Sequence, residues 1–210
     1  CLLMITQSPF EEKLNALTHG IGAALGLIGL GFLIYFDTHK TPNSFFSIIV
    51  YGGSIVLLFT ASTLYHLATD EKKKYYYRIT DHISIYFLIA GTYTPVLLIS
   101  LVDSLGWVLF YIVWGIAAFG VVLKLFFTGK YEVFSTMMYL VMGWLIVFDF
   151  SPLAEQIAEG VFFLIAGGIS YTVGVLFYVF TRIPFNHVIW HLFVLIGAFF
   201  HFLMIFNYVI

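Results

Sequence analysis

An all-α, polytopic bundle of seven transmembrane helices is the fold class that this sequence predicts, on three observations. Of its 210 residues, 61% are apolar and 20% aromatic, while only 10% are charged; a soluble domain has about 45–50% apolar and 25% charged. Mean hydropathy is +1.01. The charged residues fall in clusters, and the apolar stretches between them are long enough to cross a bilayer at roughly 20 residues each. These numbers exclude a soluble globular protein and a disordered chain, and a single cysteine excludes a disulfide framework. A net charge of −2 points away from nucleic acid as a partner.

The spans are expected, in order, at residues 17–36, 45–67, 83–102, 105–123, 133–148, 161–181 and 185–208, forming one transmembrane domain over 1–210. The first is longer than the apolar region of a signal peptide and ends in Phe36-Asp37 rather than a small-x-small cleavage pattern, so it is expected to be retained. Met4 reads as the native start, with Cys1-Leu2-Leu3 as an addition ahead of it. Pro42, Pro152 and Pro184 fall in loops or at a helix start, where a missing N–H costs little. Pro95, in Gly91-Thr92-Tyr93-Thr94-Pro95, falls inside the third span. It is expected to kink that helix, with the threonine hydroxyls offered to the freed carbonyls. None of the stretches alternates in polarity as a membrane β-barrel strand does.

Lysine and arginine set the orientation, because basic loops are retained on the cytoplasmic side. Lys13, Lys72, Lys73, Lys74, Arg78, Lys124, Lys130 and Arg182 share one side of this topology, and only Lys40 lies on the other. The N-terminus is therefore expected in the cytoplasm and the C-terminus outside, opposite to a G-protein-coupled receptor.

Ionisable groups at a helix centre in a bilayer cost about 2.5–3.5 kcal/mol each, so those retained near the spans are candidates for function. His66 ends the second span, Asp81 opens the third, and His187 and His191 lie in the first turns of the seventh. The orientation, read from basic residues alone, puts all four at one depth. His187 and His191 are spaced i, i+4, so both imidazoles share a helix face and can grip one ion. With His66 they form a three-histidine zinc set, whose fourth tetrahedral position is open to water, and zinc lowers the pKa of such a water toward about 7. Asp81 is placed to accept a proton from that water or to orient it. Ser62, one turn before His66, would reach Asp81, the water or a substrate carbonyl, three roles that spacing does not separate. Taken singly, each element has a blander reading: an interfacial histidine, or an aspartate that caps a helix. Their convergence at one depth favours the metal.

Other polar residues read as follows. His82 points about 100° away from Asp81 around the helix and is expected to make a structural hydrogen bond. His19 is a candidate partner standing behind the metal ligands. His201 lies about 15 Å deeper than His191 by helical rise, where it would line a cavity or bond a neighbouring helix. His39 is expected in solvent and Asp149 at a span boundary. The glycines, as in Gly20-Ile21-Gly22 and Gly26-x-x-Gly29, suit close helix packing.

These motifs, Thr18-His19-Gly20-Ile21-Gly22, Ser62-x-x-x-His66, Asp81-His82 and His187-x-x-x-His191, resemble in order and position those of the hemolysin III family. That family lies within the superfamily of progestin and adipoQ receptors and alkaline ceramidases. The resemblance implies a seven-helix bundle holding zinc through His66, His187 and His191, with Asp81 and Ser62 at the water. It also implies metal-dependent hydrolysis of lipid amides and, for bacterial members, a role in membrane-lipid homeostasis at the plasma (inner) membrane. Loops this short differ from those of the ceramidases, so ceramide specificity is not carried over, and neither is receptor function. The family name implies pore formation, against which stand spans too apolar for a wide aqueous channel.

Three functions thus compete. The first is an intramembrane zinc hydrolase acting on an amide or ester of a hydrophobic, lipid-like substrate drawn from the membrane lipids. The second is a non-enzymatic receptor or sensor with structural zinc. The third is a channel or proton-linked transporter using the histidines as a relay, with a bis-histidine haem site as a minor variant.

Overall fold

The computed structural model describes residues 7–210. The Met4 start and the Cys1-Leu2-Leu3 addition lie outside the described residues. Eight α-helices, with no strand among the described residues, run as α1 (Pro9–Phe36), α2 (Ser44–Leu67), α3 (Glu71–Pro95), α4 (Gly106–Phe127), α5 (Glu132–Gly143), α6 (Phe150–Ile157), α7 (Val161–Val179) and α8 (Asn186–Met204). Six helical segments among these residues are long and apolar enough to cross a membrane: 9–36, 44–67, 71–100, 106–127, 132–179 and 186–209. The chain is an integral membrane protein.

Two helices begin earlier than expected. α1 starts at Pro9 because Ser8 Oγ accepts from Glu11 N–H (3.2 Å) while the Glu11 carboxylate accepts from Ser8 N–H (2.8 Å), a reciprocal cap. α3 starts at Glu71 rather than residue 83, since Asp70 caps it through Lys73 N–H (2.9 Å) and the Glu-Lys-Lys-Lys run that follows favours helix. The charged loop of the sequence reading is thus helical, and Asp81 lies inside α3 rather than at its start. Pro95 ends α3, and the chain continues as a π-helical turn, Val96–Ser100. Thr92 and Thr94 donate to the carbonyls of Leu88 and Ala90 at 2.7 and 2.8 Å, so they do not serve the Gly91 carbonyl that Pro95 leaves free.

The expected fifth span, 133–148, departs most from expectation. α5 has only 12 residues and passes into a 3₁₀ stretch, Leu145–Asp149. Tyr93 of α3 brackets the break: its hydroxyl donates to the Gly143 carbonyl (2.8 Å) and accepts from Ile146 N–H (2.9 Å). The 48-residue segment 132–179 is not one rod, because Trp144 Nε1 donates to Thr172 Oγ1 at 3.1 Å, so the chain doubles back through α6. Asp149, expected at a boundary, is buried and accepts from Ser104 Oγ (2.8 Å) and Leu105 N–H (3.0 Å), holding the start of α4.

Glycines allow the close approaches that bring distant helices together. A Cβ on Gly22 would collide with Phe59 of α2 and Leu195 of α8, one on Gly26 with Ile55, and one on Gly174 with Trp190 and Phe193. α1 therefore packs antiparallel to α2 and parallel to α8, so that the first and last helices lie side by side.

At the end of the bundle rich in basic residues, Glu132 gathers three helices. It accepts from Lys124 Nζ (2.6 Å), Arg78 Nη2 (3.3 Å) and Gly129 N–H (2.9 Å), and the Lys124 side chain is only 2% exposed. Removing one partner of a buried pair strands the other charge, at a cost of about 3–5 kcal/mol. Glu132→Ala is therefore expected to lower the thermal unfolding midpoint of the detergent-solubilised protein clearly, and adding Lys124→Met should restore much of the loss. An unchanged midpoint for Glu132→Ala would show the pair to be solvated instead.

Candidate metal centre

α2 carries Ser62 and His66 on its buried face, one turn apart. α8 carries His187 and His191 in its first two turns. Its start is fixed by Asn186, whose side-chain amide donates to the Phe177 carbonyl at 2.9 Å, and by Phe185, held in the left-handed region at φ 56°. A non-glycine residue there costs about 1–3 kcal/mol, a strain located two residues before His187.

The three histidines converge. One ring nitrogen from each of His66, His187 and His191 lies within 4.8 Å of the others, and ring centroids are 5.2, 4.9 and 4.6 Å apart for the pairs 66–187, 66–191 and 187–191. His66 and His191 are buried and His187 half-buried. His66 Nδ1 is bonded to Glu12 Oε2 at 2.6 Å, while its Nε2 is buried with no partner among the described residues. Glu12 is held in turn by Lys74 Nζ at 2.6 Å. A carboxylate on one nitrogen fixes the imidazole tautomer and raises the basicity of the other, as it does for metal-bound histidines. At His191, Thr18 donates its hydroxyl proton to the Asn15 carbonyl (3.0 Å), which leaves its oxygen to accept from His191 Nδ1–H at 3.5 Å. Both rings are thereby tied to α1 through Nδ1.

His19, the expected partner behind the ligands, lies flat against His191, with centroids 3.6 Å apart and planes 9° from parallel. It acts by stacking rather than hydrogen bonding, for neither of its nitrogens has a partner. Ser62 is buried with an unpartnered Oγ, and the half-buried Asp81 lies beside Ser62 and within electrostatic reach of His66. His82 stays out of the cluster: its carbonyl accepts from Tyr139 OH (3.0 Å), and its Nδ1 stands 3.6 Å from Glu132. His201 bonds the Leu164 carbonyl of α7 at 3.2 Å. His39 is exposed and paired with Asp37 at 2.8 Å.

The donor set, three imidazoles of which two are tied to α1 through Nδ1, suits a borderline cation such as zinc. An unpartnered nitrogen in such surroundings carries the desolvation cost of a lost hydrogen bond, which a bound cation removes. Glu12 escaped the sequence reading because it lies ahead of the apolar run. The available signal was the helical spacing Glu12-x-x-Asn15-x-x-Thr18-His19, a polar stripe on a helix otherwise facing lipid.

The chain is 45% identical over 208 residues to Hemolysin-3 of Bacillus cereus, covering 98% of this chain and 95% of that protein. It is 45% identical over 190 residues to the Hemolysin-3 homolog of Bacillus subtilis (strain 168), covering 90% and 89%. The human Monocyte to macrophage differentiation factor is 29% identical over 212 residues, covering 95% of this chain and 84% of that protein. The Haemolysin-III related family profile matches residues 7–202, and the chain belongs to that family.

Proposed function

We propose that this protein is a seven-pass intramembrane zinc hydrolase of lipid amide or ester bonds, acting in membrane-lipid homeostasis at a bacterial plasma membrane. The observation that carries the reading is the buried, unpartnered Nε2 of His66, its opposite nitrogen tied to Glu12, facing two further imidazoles. The reversal of segment 132–179 supports the seventh pass, and the distribution of lysine and arginine supports a cytoplasmic N-terminus.

His66, His187 and His191 would hold the metal. Zinc bound there supplies Lewis acidity, both toward a carbonyl and toward a water molecule at neutral pH. Asp81, on α3 opposite Ser62, accepts a proton from the nucleophile and returns it to the leaving amine or alcohol. Ser62 donates its hydroxyl to the substrate carbonyl or to Asp81, and in either role keeps the reacting group against the face shared by α2 and α3. Glu12 and Thr18 keep the imidazoles of His66 and His191 from rotating. The place of the cluster within a bundle of apolar helices supports a hydrophobic substrate.

Metal analysis of purified protein, paired with a mass-spectrometric screen for lipid products, tests this. Wild-type protein should carry one zinc per chain, and His191→Ala should lose it together with turnover. Asp81→Asn should keep its zinc and lose turnover by about 10²–10⁴-fold, the usual worth of a general base. Retention of function in Asp81→Asn, alongside loss of thermal stability in the histidine variants, would assign the metal a structural role in a sensor. Proton flux in liposomes that His66→Ala abolishes, with no lipid product, would assign a relay. Glu12→Gln should weaken zinc affinity by about 10–100-fold, measured by competition with a chelator, while leaving the fold intact.

A further inference from the structure

A second group of polar side chains lies away from the metal centre, in the other half of the bundle. The Tyr51 hydroxyl of α2 is buried with no hydrogen-bond partner among the described residues, in a side chain only 1% exposed. His201 of α8 uses Nε2 on the Leu164 carbonyl, but its Nδ1 is likewise buried and unpartnered. Tyr171 of α7 holds its ring 5.5 Å from that of His201, the two planes tilted by 55°, and the Tyr51 hydroxyl lies within electrostatic reach of it. α1 shows that Tyr51 and His201 share one depth: Gly29 faces Phe202, and Leu30 fills the space over Gly52. Two glycines make room for the group. A Cβ on Gly167 would overlap the His201 ring, and one on Gly197 would lie 2.8 Å from the Tyr171 ring.

We propose that Tyr51, Tyr171 and His201 form a second polar site, separate from the metal centre, that binds water. Backbone groups in the adjoining helices are already consumed by their own ladders, so the hydroxyl and the imidazole nitrogen need a donor and acceptor from outside the chain. A water molecule supplies both and typically makes about three hydrogen bonds in a protein interior. Apolar side chains would serve equally well as packing here, and unpaired polar atoms in a bilayer protein are costly to keep. The site is not an extension of the metal centre. Ile55, Leu58 and Phe59 of α2 and Val194 and Ala198 of α8, all buried and apolar, lie between the two along their helices.

X-ray hydroxyl-radical footprinting of the purified full chain in nanodiscs tests this, since radiolysis of a bound water oxidises the tyrosine ring beside it. Tyr93 is the internal reference: its hydroxyl already donates and accepts within the protein, and it is 7% exposed. Bulk access alone would label Tyr93 faster than Tyr51. We expect Tyr51 to be oxidised several-fold faster than Tyr93, with His201→Phe slowing both Tyr51 and Tyr171 and leaving Tyr93 unchanged. If Tyr51 is labelled no faster than Tyr93 in the wild-type protein, the water site does not exist, whatever the stability of the variant.

Discussion

The hydrogen bond between Glu12 and His66 is the contact on which the architecture of the three-histidine cluster turns. A carboxylate at the end of a membrane helix is expensive to bring against apolar neighbours, and here its two oxygens are used separately, one on His66 and one on Lys74. Because Lys74 belongs to α3, His66 to α2 and Glu12 to α1, one side chain ties three consecutive helices at the same level. The free face of His66 is then directed inward by α1, not by its own helix. His191 is handled in the same manner through Thr18, so the first helix, which offers no metal ligand, sets the direction of two.

That coupling requires α1 to approach both α2 and α8 closely, and small residues permit it. Gly22 lies against Phe59 and Leu195, the former itself edge-on to His19 at 5.0 Å. In lipid there is no hydrophobic gain in pressing apolar helices together, so close contact must come from shape and from polar links. The bundle uses shape through its middle and polar links at the basic end, where Glu12 and Glu132 each draw several helices inward.

Much of this was legible in the sequence, for reasons tied to particular residues. The apolar runs around 45–67 and 105–123 correspond to α2 and α4, because burial in a bilayer leaves composition as the dominant signal. The convergence of His66, His187 and His191 followed from the side on which each span ends. The early start of α3 was not legible, since helix outside the membrane depends on local capping by Asp70 rather than on apolarity. Nor was the role of Glu12, the middle of three adjacent charged residues, whose partner lies 54 positions away. Asp149, expected at a boundary, does lie where the 3₁₀ stretch passes into α6, but its bonds to Ser104 and Leu105 in the turn ahead of α4 were not legible, since nothing in its immediate neighbourhood announces them.

The interruption after α5 bears on how the protein is made. Twelve residues of α-helix cover about 18 Å at 1.5 Å per residue, short of a hydrocarbon core about 30 Å thick, and without a partner the Gly143 carbonyl and the Ile146 amide would be unsatisfied in lipid. Tyr93 satisfies both, and it lies on a helix synthesised earlier. The break after α5 therefore depends on α3 to satisfy its backbone, and insertion and folding, separable steps for the longer helices, are expected to be coupled for this part of the chain.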